Sequence, residues 1–203
     1  GLTGPGRHPR PGGRLDRRVC APEHGGAQPT MTAPGERPAR LGVYPGSFHP
    51  LTIAHVAIID AALQQLDLAR LDLSISRAAF DKSHLDAHLG ERVDALRRSF
   101  THRFEVGVIV TEHRLIADVA RGYDAVVMGA DKWHQLHELR FYDGRVSARD
   151  AAVASLPDVA VAPRLGWSAP PEHRLHLSPN FEGVSATAVR AGRDEWRAPT
   201  GEH

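Results

Sequence analysis

Two short segments of this 203-residue chain carry side chains and spacings suited to handling phosphate. The first is Tyr44-Pro45-Gly46-Ser47-Phe48-His49-Pro50-Leu51-Thr52-Ile53-Ala54-His55, set between an apolar run and an apolar helical pattern. Gly46 permits a tight turn and a close backbone approach. A helix opening at Thr52 would offer unpaired N–H groups and the positive end of its dipole, both of which suit an anion. Thr52 also fits a plain N-cap, and His55 is one of thirteen histidines. The second segment, Val184-Ser185-Ala186-Thr187-Ala188-Val189-Arg190, places two hydroxyls at a helix start and a guanidinium one turn on. That set can meet phosphate oxygens, or simply cap a terminal helix. Neither Gly-x-x-x-x-Gly-Lys-Ser/Thr nor Gly-x-Gly-x-x-Gly occurs, which argues against those two phosphate sites.

Two further places attract attention. Lysine is scarce: Lys82 and Lys132 stand against 23 arginines. Lys82 lies on the loop after a candidate strand, in Ser76-Arg77-Ala78-Ala79-Phe80-Asp81-Lys82, and Gly90-Glu91-Arg92 opens the helix that follows. A flexible lysine there suits the charge of a transferring phosphoryl group. Gly129-Ala130-Asp131-Lys132-Trp133 follows another apolar run. Its Asp131 could hold a ligand or serve as a helix N-cap.

The elements that must position these residues alternate. Candidate strands are 40–44, 70–76, 104–110, 124–129, 158–163 and 173–177. Candidate helices are 52–67, 90–100, 113–122, 131–141, 147–156 and one from Ser185. Alternation of this kind predicts an α/β fold, a Rossmann-like doubly wound parallel sheet, with chemistry in the loops after 44, 76, 110 and 129 at the carboxyl ends of the strands. Residues 39–203 are expected to form one domain. Residues 1–38, dense in Gly, Pro and Arg and without apolar periodicity, read as a disordered tail, and Met31 as a natural start with upstream sequence before it.

Composition narrows the classes. Seven arginines against Asp16, Glu23 and Glu36 make residues 1–40 basic, while the rest holds 18 basic and 21 acidic residues, so no field gathers a nucleic-acid backbone. No apolar run reaches the length of a membrane helix, no secretory h-region is seen, and the single Cys20 suits a reducing compartment. The expectation is a cytoplasmic protein without nucleic-acid or membrane partners; assembly as a homo-oligomer is left open. His84, His88, His134 and His137 read as surface histidines rather than as a metal site.

Taken together, Gly46-Ser47-Phe48-x-Pro50-x-Thr52-x-x-His55 and the segment 184–190 resemble the two signatures of the HxGH nucleotidyltransferase superfamily. The first is similar to the Thr-containing variant of the pantetheine-phosphate adenylyltransferases and the second to an I-S-S-T-x-[IV]-R element. The segments at 76–82 and 90–92 are similar to the superfamily's lysine-bearing loop and Glu-Glu-Arg helix start. Gly129-Ala130-Asp131 resembles the element of nicotinate- and nicotinamide-mononucleotide adenylyltransferases. The resemblance covers nearly all of residues 40–192. It departs at His49, Thr52 and Ala54, where most members carry Asp, His and Gly.

The resemblance implies adenylyl transfer from ATP to a phosphorylated small-molecule acceptor with release of pyrophosphate. His55, Thr52, Lys82 and Arg190 would be catalytic. Gly46, Ser47, Phe48, Gly129, Asp131, Ser185 and Thr187 would bind the nucleotide, and Arg92 and Trp133 the acceptor. Mg²⁺ would travel on the triphosphate, with no protein metal ligands. Nicotinate mononucleotide is the expected acceptor, with phosphopantetheine, a cytidylyl donor, or a non-catalytic nucleotide-binding module as alternatives. Composition also makes one direct prediction: removing residues 1–38 leaves the melting temperature of the remainder unchanged to within a few degrees, measured by thermal unfolding of the two chains side by side.

Overall fold

A computed structural model describes residues 38–77 and 89–199, so the tail expectation and Lys82 lie outside the described residues. Five strands form one parallel sheet: β1 (Leu41–Pro45), β2 (Arg70–Ser76), β3 (Val106–Thr111), β4 (Ala125–Gly129) and β5 (Asp158–Ala162). Their order is β3-β2-β1-β4-β5. The chain winds outward from β1 through β2 to β3, then crosses back to lay β4 on the other side of β1. The fold is therefore the doubly wound α/β class, and its topological switch point lies between β1 and β4.

Strands buried on both faces read as continuous apolar runs. All five residues of β4 are buried, and their alternation sends side chains to two separate cores. Val127, Tyr44, Leu71, Leu73 and Ile75 pack on one face with Ile58 and Ile59 of α1 (Ile53–Gln65) and with Val93, Leu96 and Phe100 of α2 (Leu89–Ser99) and its end. On the other face, Val43, Val126, Met128 and Val161 pack with Val119, Ala120 and Ala130. Those last residues come from α3 (Ile116–Val119), its end, and α4 (Ala130–Leu136). α5 (Val146–Ala154) leads into β5, and α6 (Ala186–Arg190) closes the described chain with a 3-10 turn at Asp194–Trp196.

Three expectations need correction. Residues 173–177 do not form a sixth strand: Arg174 makes only an isolated bridge to Val161, and Leu175 donates one bond to Val161 O at 2.9 Å. Pro170, Pro171 and Pro179 bracket the segment and deny it a ladder. The amide of Gln65 stands in for a strand partner, donating to His176 O at 2.8 Å and accepting from His176 N at 2.9 Å. The helix expected over 113–122 shrinks to α3, because Leu115 is still extended and the turn closes at Gly122 with φ +87. The helix expected over 131–141 ends at Leu136 and resumes as a 3-10 turn at Leu139–Tyr142.

Candidate active site

The loop leaving β1 is held shut by contacts that leave no freedom at Gly46. Its N–H donates to Ser74 O at 3.0 Å, extending the β1–β2 pairing past the strand, and a Cβ there would meet the Phe48 ring at 2.8 Å. Phe48 adopts a left-handed φ of 47 and turns its ring inward, where it is buried. It stands edge-on to Tyr44 at 5.1 Å and to His55 at 5.2 Å between centroids. The peptide bond His49–Pro50 is cis. From α2, Arg92 reaches beneath the loop and donates to Ser47 O at 3.0 Å; its side chain supports the loop backbone.

α1 begins with a reciprocal cap. The Thr52 hydroxyl accepts from the His55 backbone N–H at 3.3 Å, and His55 Nδ1 accepts from the Thr52 N–H at 3.1 Å. A backbone amide can only donate, so Nδ1 carries the lone pair and the proton of the neutral ring sits on Nε2. Burial lowers the pKa of His55 to about 4, and the positive charge of Arg164 adds to the effect. At neutral pH the ring is thus an uncharged N–H donor, not a cation. Thr52 is 1% exposed, so its hydroxyl is taken up by the cap.

The second segment meets this loop directly. Ser185 caps α6, accepting from Ala188 N at 3.1 Å. Arg190 donates through Nη2 to Thr187 Oγ1 at 3.0 Å and through Nη1 to His49 O. Residues 141 apart in sequence are thereby joined, and Thr187 and Arg190 remain exposed beside the start of α1. Just beyond, Arg197 bridges Thr52 and Ala198 N donates to Leu51 O at 3.0 Å.

Across the switch point, Gly129 is the N-cap of α4, with no room for a side chain: a Cβ would lie 2.6 Å from Asp131 Oδ1 and 2.9 Å from Arg164 Cδ. Asp131 is therefore the second residue of the helix and not its cap, which corrects one sequence reading. Its Oδ1 lies 3.5 Å from Arg164 Nε. Trp133 is partly buried against the β4–β5 core, with His137 at 4.9 Å and His173 at 5.2 Å from its ring. His134 and His137 are exposed, His134 bonding Ser168 O at 3.0 Å. Among the described residues no three His, Cys, Asp or Glu side chains converge, and no helix is long and apolar enough to cross a membrane.

Sequence reasoning brought together His55, Thr52, Gly46, Phe48 and Arg190, which the structure also brings together, and it missed Arg164. Arg164 follows directly on the expected strand 158–163, but no motif or spacing marks it, and its place beside Asp131 comes from β5 lying next to β4.

Two phosphate-suited segments thus close on each other at the switch point of a parallel sheet. A model of the cytidylyltransferase-like family matches residues 43–192, and the chain belongs to that family. It is 37% identical over 93 residues to a phosphopantetheine adenylyltransferase of Paracoccus denitrificans, a match covering 44% of this chain. That match spans about half of the Paracoccus protein, 54% of its length. A phosphopantetheine adenylyltransferase of Mycoplasma capricolum is 27% identical over 108 residues, 52% of this chain and 74% of that protein. Among solved structures, the Plasmodium falciparum nicotinic acid mononucleotide adenylyltransferase complexed with NaAD superposes with a TM-score of 0.50 at 12% identity. The superposition covers 75% of this chain and 83% of that one, and it shows a shared fold.

The state of His55 yields a test. Its folded-state pKa of about 4 lies below the ordinary 6.5, so as pH falls the unfolded chain takes up the proton first. Stability is full above pH 6.5 and is lost as pH drops toward 4, by about 3 kcal/mol at most. Denaturant unfolding of wild type and His55→Gln between pH 7.5 and 4.5 should show the steeper loss in the wild type; parallel curves would contradict the buried neutral ring.

Proposed function

We propose that the protein transfers an adenylyl group from ATP to a phosphomonoester acceptor. The observation that carries this reading is the closure of the two segments on one another, with Arg190 bonded to His49 O beside the start of α1 and His55 presenting Nε2–H. A phosphate oxygen of the acceptor attacks the α-phosphorus and forms the new P–O bond. The bond from that phosphorus to the α,β-bridging oxygen breaks, and pyrophosphate leaves with the electron pair. The acceptor phosphate, with a second pKa near ~6, is already ionised at neutral pH, so no protein base is required. The protein's part is positioning and charge stabilisation.

In this reading Nε2–H of His55 donates to an oxygen of the triphosphate, and the backbone around Gly46, Ser47 and Phe48 holds the α-phosphate. Thr52 fixes the ring and its tautomer. Ser185, Thr187 and Arg190 receive the β,γ end, and Lys82 supplies a positive charge to the transferring group. Mg²⁺ bound to the triphosphate would neutralise its charge.

For the acceptor, nicotinate mononucleotide is favoured by Asp131, which stands at the switch point with a buried Oδ1 accepting no hydrogen bond among the described residues. Thr52, which resembles the pantetheine branch, spends its hydroxyl on the helix cap. The second reading, 4′-phosphopantetheine, is favoured by the names of the two sequence relatives.

The deciding experiment is pyrophosphate release with ATP or CTP crossed with nicotinate mononucleotide, nicotinamide mononucleotide and 4′-phosphopantetheine. Release with ATP and nicotinate mononucleotide is expected. Product with 4′-phosphopantetheine alone would move the assignment to the second reading, and ATP binding without release in any pair would make the chain a nucleotide-binding module. On the productive pair, His55→Ala and Lys82→Ala should each lower kcat by about 10²-fold, the scale of losing one preorganised stabilising group, with melting temperatures of the folded variants as the control.

A further inference from the structure

We propose that Arg164 is the residue that receives the phosphomonoester of the acceptor, with Asp131 as its partner while the site is empty; this rests on the adenylyl-transfer reading above. Arg164 lies two residues past β5, at the carboxyl end of the sheet, and its stem runs over Gly129, where even a Cβ would come within 2.9 Å of it. That glycine leaves the space in which the guanidinium can lie across the mouth between β4 and β5. Its charge is felt at β1 and α1 beyond β4, where it adds to the burial that lowers the pKa of His55 and opposes the burial that raises that of Tyr44.

The pairing with Asp131 is an open one. The separation is 3.5 Å, beyond a good charge-assisted hydrogen bond, although both side chains are only 27% exposed. Elsewhere in the chain, an equally long pair such as Arg197–Asp194 is explained by solvent, at 52% and 78% exposure. Arg70–Asp72, with its carboxylate 15% exposed, closes to 2.7 Å. Arg164 and Asp131 are three-quarters covered and still apart, and Asp131 Oδ1 is buried without a hydrogen bond. A guanidinium has five N–H donors in a planar fork. Among the described residues this one has a single, loose ion pair.

Chemistry selects the ligand. The triphosphate side of the crevice already has the start of α1 and Arg190, which is bonded back to His49 O. Arg164 stands on the opposite side, with Asp131 and α4, within electrostatic reach of His55. A nucleophile attacking a phosphorus held near His55 must arrive from that side as a phosphate dianion. Two parallel N–H donors of Arg164 match two of its oxygens, leaving the third free to attack. A monoanionic carboxylate 3.5 Å away keeps the arm in place and yields to a dianion.

Calorimetric titration tests this without turnover. Wild type, Arg164→Ala and Arg164→Lys are titrated with nicotinate mononucleotide and nicotinate riboside, with 4′-phosphopantetheine and pantetheine, and with a non-hydrolysable ATP analogue. The wild type should bind one phosphorylated acceptor at least tenfold more tightly than its dephosphorylated form. Arg164→Ala should weaken the phosphorylated form about 10- to 100-fold, leave the dephosphorylated form and the ATP analogue unchanged, and so erase the preference. Arg164→Lys, keeping the charge without the fork, should restore part of it. Equal weakening of both forms, or of the ATP analogue, would overturn the assignment in favour of a structural role. A preference that survives in Arg164→Ala would overturn it as well. If the wild type binds neither phosphorylated acceptor, the adenylyl-transfer reading falls and the assignment of Arg164 falls with it. Should Arg164→Ala not fold, the Lys variant decides: an undiminished preference there overturns the fork, and a partial one supports it.

Discussion

The reciprocal hydrogen bonds between Thr52 and His55 set the state of the whole site. One bond starts α1 at a defined residue. The other fixes which nitrogen of the ring is protonated and aims it away from the helix. Because the same ring packs against Phe48, the cap also fixes the face on which the loop 46–51 rests. Burial then keeps the imidazole neutral, so the ring offers a directed N–H donor without adding another desolvated charge.

That arrangement depends on the sheet beneath it. β1 is paired on both edges, with β2 over residues 41–45 and with β4 at Gly42 and Val43, and its faces are covered by two independent cores. The loop that leaves it is anchored from three directions: Gly46 to β2, Ser47 to Arg92 of α2, and His49 to Arg190 of α6. Each anchor uses a backbone carbonyl or amide of the loop. Side-chain identity at positions 47 and 49 is therefore less constrained than backbone path.

Much of this was legible in the sequence for definite reasons. The parallel sheet was legible because β4 is apolar at every position and because strands alternate with helical patterns. The pairing of residues 46–55 with 184–190 was legible only through the resemblance of the two segments together to one superfamily's signatures, since each alone also fits an ordinary helix cap. What escaped did so because it depends on tertiary partners. Residues 173–177 carry a strand pattern, yet the partner that satisfies His176 is the side chain of Gln65, which no local pattern reveals. Asp131 looks like a cap in sequence, but the backbone of Gly129 fills that position. Arg164 carries no spacing signal; its place follows from β5 lying beside β4 in space.

The joint between Arg190 and the His49 carbonyl also bears on how the molecule comes into being. The loop is among the earliest parts of the described fold to leave the ribosome, and the residues that hold it follow about 140 positions later. Contacts of such sequence separation form late, after the intervening chain has closed its own shorter-range pairings. During synthesis, β1 must wait for β4 to gain its second neighbour, and the loop must wait longer still for α6 and for the backbone bond from Ala198 to Leu51. A nascent chain can therefore build most of its hydrophobic core while the loop after β1 is still unfinished. The path of that loop is thus completed only once α6 and Ala198 have joined the fold.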